Sequence, residues 1–116
     1  MPQPAATPAG GRVVSVQISS ATPTQITLVI GLSGPVRHAV YRVADPPRVV
    51  IELANAEYAA PKEIAVAHPV IRKIRGGQYL EKPVKLSRII VDASRAMTPQ
   101  VSQQGDRLIV TLIRSG

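Results

Sequence analysis

Two short stretches of this 116-residue chain hold the residue types best placed for chemistry, Arg48-Val49-Val50-Ile51-Glu52 and Arg88-Ile89-Ile90-Val91-Asp92. In an extended chain successive side chains point to opposite faces, so Arg48, Val50 and Glu52 share one face, and Arg88, Ile90 and Asp92 another. An arginine on such a polar ledge can grip a carboxylate with two parallel hydrogen bonds. The same pattern also makes solvated cross-strand ion pairs, each worth less than about 1 kcal/mol. Between the two stretches lies Arg75-Gly76-Gly77-Gln78. A glycine pair frees the backbone to turn or to let something approach closely. Here it reads as a turn between strands, with Gln78 and Tyr79 in the loop. It makes a poor phosphate loop, because no Gly-Lys-Ser/Thr follows and no helix opens after it.

Catalysis lacks its parts. His38 and His68 sit in different segments, and neither has a partner at metal-ligand spacing. The acids Asp45, Glu52, Glu57, Glu63, Glu81, Asp92 and Asp106 form no metal-binding cluster, and no serine sits in a nucleophile elbow. No enzyme activity, metal or cofactor is expected. A net charge of +7 favours anionic partners such as nucleic acid, anionic lipid or a carboxylate-rich wall. Single-strand nucleic-acid binders stack bases on aromatic faces. Only Tyr41, Tyr58 and Tyr79 are available, with no Phe or Trp, so nucleic acid is not the expected partner. The same shortage argues against a platform that stacks aromatics on sugar rings.

The elements that must position these residues are strands. The aliphatic content is Val, Ile, Leu and Ala, which suits pleated sheets. Residues 1–11 are rich in Pro, Ala and Gly and read as a disordered linker, with one folded domain over residues 12–116. That linker suits a folded unit strung on a longer chain, with any signal peptide lying outside it, since the first residues lack a basic and an apolar region. No apolar run approaches the roughly 18 residues of a spanning helix, so no membrane insertion is expected. Absent cysteines exclude a disulfide scaffold.

Val13–Ile18 alternates with Val14, Val16 and Ile18 apolar, and Ser19–Thr24 reads as a turn. Ile26–Leu32 alternates again, with Ile26, Leu28, Ile30 and Leu32 on one face. Val36–Val43 is more polar and suits an edge; Asp45-Pro46-Pro47 is a turn; Arg48–Leu53 is a strong strand. Residues 54–69 read as a connection that includes an edge strand at Glu63–Val66. The second half restates the first. Val70–Arg75 matches Val13–Ile18, Arg88–Ala93 matches Thr27–Leu32, Thr98–Gln103 matches Val36–Val43, and Arg107–Leu112 matches Arg48–Leu53. The prediction is an all-β sandwich of two similar sheets, about four strands each, with a pseudo-twofold internal repeat.

Ile74-Arg75-Gly76-Gly77-Gln78, followed by Arg88-Ile89-Ile90-Val91-Asp92, resembles the AMIN domain family, whose pattern is an IRxGQ turn and then RxVxD. Arg48–Leu53 resembles the family's RIVVDL strand, with Glu52 where Asp is usual. The resemblance spans about residues 12–114. It implies a β-sandwich and a non-catalytic, peptidoglycan-binding, localising module of the bacterial envelope. Such modules precede the catalytic domain of periplasmic N-acetylmuramoyl-L-alanine amidases and occur near the N-terminus of type IV pilus secretins. On that reading Arg48, Arg75 and Arg88 meet stem-peptide carboxylates in the periplasm, while Gln78, Asp92 and Glu52 supply acceptors or orient the arginines. The rival reading is a protein–protein module that pairs strand edges with other subunits of a pilus or secretion machine.

Overall fold

Alternation of aliphatic and polar residues drives the chain into strands throughout, and the computed structural model describes residues 10–34, 36–82 and 85–114. The strands are β1 (Gly11–Thr22), β2 (Gln25–Ser33), β3 (Arg37–Val43), β4 (Arg48–Ala54), β5 (Ala56–Tyr58), β6 (Glu63–Ile64), β7 (Ile71–Leu80), β8 (Leu86–Ala93), β9 (Met97–Gln104) and β10 (Arg107–Arg114). The linker expected over residues 1–11 lies outside the described residues up to residue 9, and Gly11 already opens β1. Strand β6 is the expected edge strand, shortened to Glu63–Ile64, while β5 occupies a segment read from sequence as a connection. They raise each sheet from the expected four strands to five.

The first sheet runs β5-β1-β2-β10-β9 and the second β3-β4-β8-β7-β6. Exchanging β1 with β7, β2 with β8, β3 with β9 and β4 with β10, as the internal repeat matches them, turns the first order into β6-β7-β8-β4-β3 when β5 is exchanged with β6. That is the second sheet read backwards, so the repeat is a structural one. Neither half builds a sheet by itself. Each half gives one hairpin to each sheet, and the halves meet along β2–β10 and β4–β8. The short added strands break the symmetry: β5 pairs parallel to β1, whereas β6 pairs antiparallel to β7.

The inner faces close on an aliphatic core. Ile26, Leu28, Ile30 and Leu32 of β2 are buried as their alternation requires, and so are Val49, Ile51 and Leu53 of β4, Ile89 and Val91 of β8, and Leu108, Val110 and Leu112 of β10. Strand β1 departs from its expected alternation. Register shifts fall between Val13 and Ser15 and between Ile18 and Ser20. The extra residue of a bulge reverses the facing of what precedes it. Val13 is therefore buried and Val14 is 45% exposed, the reverse of the reading from period alone. Pairing with β2 also carries β1 on to Thr22, through most of the expected turn.

His68 clamps the first hairpin to the start of β7. Its Nδ1 accepts from the backbone N–H of Val70 at 3.1 Å and of Ile71 at 3.3 Å. Its Nε2 lies 2.6 Å from the Thr22 carbonyl. A ring nitrogen that accepts two N–H groups carries no proton, so the proton sits on Nε2, which donates to Thr22. His68→Ala orphans two N–H groups on buried residues and is expected to cost about 1–3 kcal/mol. Urea titration should show a lower midpoint with an unchanged slope.

Candidate ligand-binding face

The outward face of the second sheet gathers the charged residues singled out in the sequence. Strands β4 and β8 run antiparallel with Arg48 opposite Asp92, Val50 opposite Ile90 and Glu52 opposite Arg88. Each strand carries an arginine and, two same-face positions on, an acid. Antiparallel pairing therefore sets each arginine against the other strand's carboxylate. Strand β7 adds Arg75 beside Ile90, Lys73 beside Asp92 and Gly77 beside Arg88.

The resulting contacts are specific. Arg88 reaches Glu52 Oε2 with Nη2 at 2.7 Å and Nε at 2.8 Å, and its guanidinium carbon lies 3.6 Å from the centre of the Tyr79 ring. Tyr41 donates its hydroxyl to the same Glu52 oxygen at 3.2 Å. Asp92 is shared: Arg48 Nε is 3.2 Å from Oδ1 and Arg75 Nη2 is 3.3 Å from Oδ2. Val50, in the middle of this face, is only 5% exposed, with Tyr41 and Ile90 as its cross-strand neighbours. Partial burial works against the charge of Arg88. The Glu52 hydrogen bond and the neighbouring Tyr41, Tyr79 and Glu52 outweigh it, and the guanidinium pKa is raised. The Tyr41 phenol is raised by burial and then by Glu52, as hydrogen-bond partner and as charge.

The first sheet has no such face at the equivalent place. Strand β10 pairs β2 with Arg107 opposite Gly31 and Thr111 opposite Thr27. A hydroxyl contact between Thr27 and Thr111 at 3.4 Å stands where the second sheet has the Arg88–Glu52 pair. The repeat conserves the scaffold and not the charges.

Gly76 and Gly77 lie inside β7 and do not turn the chain, which corrects the reading from sequence. The turn comes later, past Leu80. The two glycines serve different ends. A Cβ on Gly76 would overlap the Tyr58 ring, whose hydroxyl donates to the Pro61 carbonyl. A Cβ on Gly77 would meet nothing within 4 Å. Gly77 therefore leaves open backbone between Arg75 and Arg88, in a groove of about 420 Å³ also bordered by Lys62, Glu63 and Tyr79.

Five of the six candidate residues, Arg48, Glu52, Arg75, Arg88 and Asp92, come together on this face. Gln78 stands apart. It pairs with the buried Ser87, on the inward side of the sheet. Its Oε1 accepts from Tyr58 N–H at 2.8 Å, and its Nε2 donates to the carbonyls of Ala56, Leu80 and Leu86 at 3.1, 2.9 and 3.2 Å. The amide knits β5 to the β7–β8 hairpin and orients none of the arginines. Tyr41 and Tyr79 were not among the candidates, yet both touch the ion pairs. Finding them requires the β3–β4 register, Tyr41 opposite Val50, and the true extent of β7.

A sequence model described as the AMIN domain matches residues 15–112. The chain belongs to the AMIN domain family. AMIN domains are non-catalytic, peptidoglycan-binding and localising modules of periplasmic and envelope proteins. Comparison with curated proteins gives no match. In this AMIN domain the three motif stretches become the adjacent strands β4, β8 and β7, so residues scattered over 45 positions of sequence share one surface.

Burial raises the Tyr58 phenol above its usual value. A group whose neutral form is favoured by folding stabilises the protein fully below its unfolded pKa of about 10 and loses that contribution as pH rises through the folded value. Stability should therefore fall above about pH 10, and Tyr58→Phe should flatten part of that fall. Urea midpoints measured between pH 9 and 11 check this.

Proposed function

We propose that this domain holds its parent protein at the cell wall by taking stem-peptide carboxylates of peptidoglycan onto the arginine face of the second sheet. The parent is a type IV pilus secretin or a cell-wall amidase acting in the periplasm. The observation that carries the reading is that Arg75 and Arg88 line one groove together with the glycine backbone of Gly76 and Gly77. The two arginines have different parts. Arg88 is held by two hydrogen bonds and a ring, with 27% of its side chain exposed. Arg75 makes a single 3.3 Å contact with an Asp92 it shares, and is 45% exposed. Exposed ion pairs contribute about 0–1 kcal/mol, so Arg75 exchanges its partner for an incoming carboxylate at little cost. Arg88 gives the groove a fixed positive wall.

The test is sedimentation with purified sacculi, intact or stripped of stem peptides by an amidase. The domain should pellet with intact sacculi, be released as salt screens the contacts, and stay in solution with bare glycan. A domain that remains in the supernatant with intact sacculi sinks the reading. The rival, strand-edge pairing with a secretion-machine subunit, draws on the exposed edge strands β3 and β9. Arg37 and Arg42 on β3 and Pro99 on β9 blunt those edges, which favours the wall over the edge partner.

A further inference from the structure

A second cationic site sits at the end of the sandwich, where β8 leaves the second sheet to cross to β9. The cleft there encloses about 380 Å³. Arg42 from β3, Arg48 from β4 and Arg95 from the crossover line it, and Val43, Ala96 and Met97 give it an apolar wall. No acidic residue lines it. Neither Arg42 nor Arg95 has a carboxylate within ion-pair distance among the described residues. Arg48 belongs to both sites. Its Nε is buried, and although it lies 3.2 Å from Asp92 Oδ1 it donates no hydrogen bond. The charge is paired and the N–H is not.

Two guanidiniums without a carboxylate partner, Arg42 and Arg95, beside an Arg48 already paired with Asp92, call for an anion. The apolar wall selects among anions. A phosphate keeps all its oxygens hydrated and gains nothing from Met97 or Val43, whereas a carboxylate next to a small alkyl group matches both halves of the cleft. The volume lies at the low end of the roughly 300–1,000 Å³ typical of ligand pockets, enough for a residue or two and too little for a glycan strand. The geometry points to a binding site for the C-terminal carboxylate of a peptide ending in alanine, with the guanidiniums on the carboxylate and the methyl group against Val43, Ala96 and Met97. This rests on the peptidoglycan reading, since stem peptides end in such residues, and it adds a site for the terminus to the arginine face.

The probes are N-acetyl-alanyl-alanine in its D,D form, its C-terminal amide and inorganic phosphate, each titrated into the isotope-labelled domain and followed by backbone amide shifts. The acid should shift residues 42–49 and 93–97 and bind at least about tenfold more tightly than the amide, the margin expected for losing a charge-assisted pair. Phosphate should bind more weakly than the acid. Arg42→Ala with Arg95→Ala should abolish acid binding, and both positions are solvent-exposed, so the fold is kept. Equal binding of acid and amide, phosphate binding as tight as the acid, or shifts confined to the Arg75–Arg88 groove would overturn the inference. Sacculus binding separates the two claims. Intact sacculi bound without acid-over-amide preference overturn the cleft and leave the wall reading standing. Cleft binding of the acid without sacculus binding overturns the wall reading and keeps a carboxylate site.

Discussion

Gly76→Ala should lower stability by about 2–3 kcal/mol, while Gly77→Ala, one residue away, should leave it unchanged or raise it by a few tenths. The contrast comes from what each added methyl meets. At Gly76 it would occupy the space of the Tyr58 ring, and at Gly77 it would enter open groove. Tyr58 has little freedom to yield. Its hydroxyl donates to Pro61, its backbone N–H donates to Gln78 at 2.8 Å, and its neighbour Ala59 donates its N–H to Val13 at 2.8 Å. Gly76 itself donates to the Lys62 carbonyl at 2.9 Å, so the backbone on the other side is also fixed. In thermal melts Gly76→Ala should lower Tm by about 8–15 °C. A double-mutant cycle checks the cause. If the ring is the obstacle, Gly76→Ala in a Tyr58→Ala background should cost almost nothing, giving a coupling energy close to the whole single-mutant effect. Additive losses would place the strain elsewhere. Gly77→Ala has its own readout, because a methyl on the groove floor should weaken sacculus binding in a domain of normal stability.

How far these features were legible in the sequence depends on the distance over which each is decided. The inner faces of β2, β4, β8 and β10 follow from alternation alone, because burial on one face imposes a period of two. The internal repeat is local pattern compared with local pattern, and it foretold the symmetry of the sheets. The exchange of hairpins between them needs the β2–β10 and β4–β8 pairings. Val14 was misplaced because a bulge is set by the partner strand. The glycine pair looked like a turn because glycine most often serves one, and nothing near residue 76 in sequence announces that Tyr58 will lie against it. Gln78 resembled a surface amide for the same reason: its four partners belong to Ala56, Tyr58, Leu80 and Leu86. The arginine and acid positions were legible as two faces. Their meeting as one required the register that sets Arg48 against Asp92 and Glu52 against Arg88.

That register also sets the largest expected change in binding. Arg75→Ala with Arg88→Ala should weaken sacculus binding by about ten- to a hundredfold, since each removes a charge-assisted hydrogen bond worth roughly 1.5–3 kcal/mol from a ligand carboxylate, less the partner each already holds. The single variants should differ. Arg75→Ala gives up one exposed contact and should lose binding with little change in Tm. Arg88→Ala strips Glu52 of two hydrogen bonds and Tyr79 of its cation, and should lose both. A purely structural network predicts stability losses without binding losses, so the two quantities must be measured on the same samples. Asp92→Asn gives the sharper discrimination, because one reading then expects binding to tighten and the other expects it unchanged. Asp92 holds Arg48 and Arg75 and competes with any incoming carboxylate for both. Neutralising it should cost about 0–1 kcal/mol in stability and should tighten sacculus binding by about two- to fivefold as Arg75 is released. If the ion pairs serve only to hold β4, β7 and β8 together, Asp92→Asn will loosen the sheet and leave the sacculus isotherm where it was. That outcome, with unchanged binding in the double arginine variant, would remove the arginine face from the mechanism.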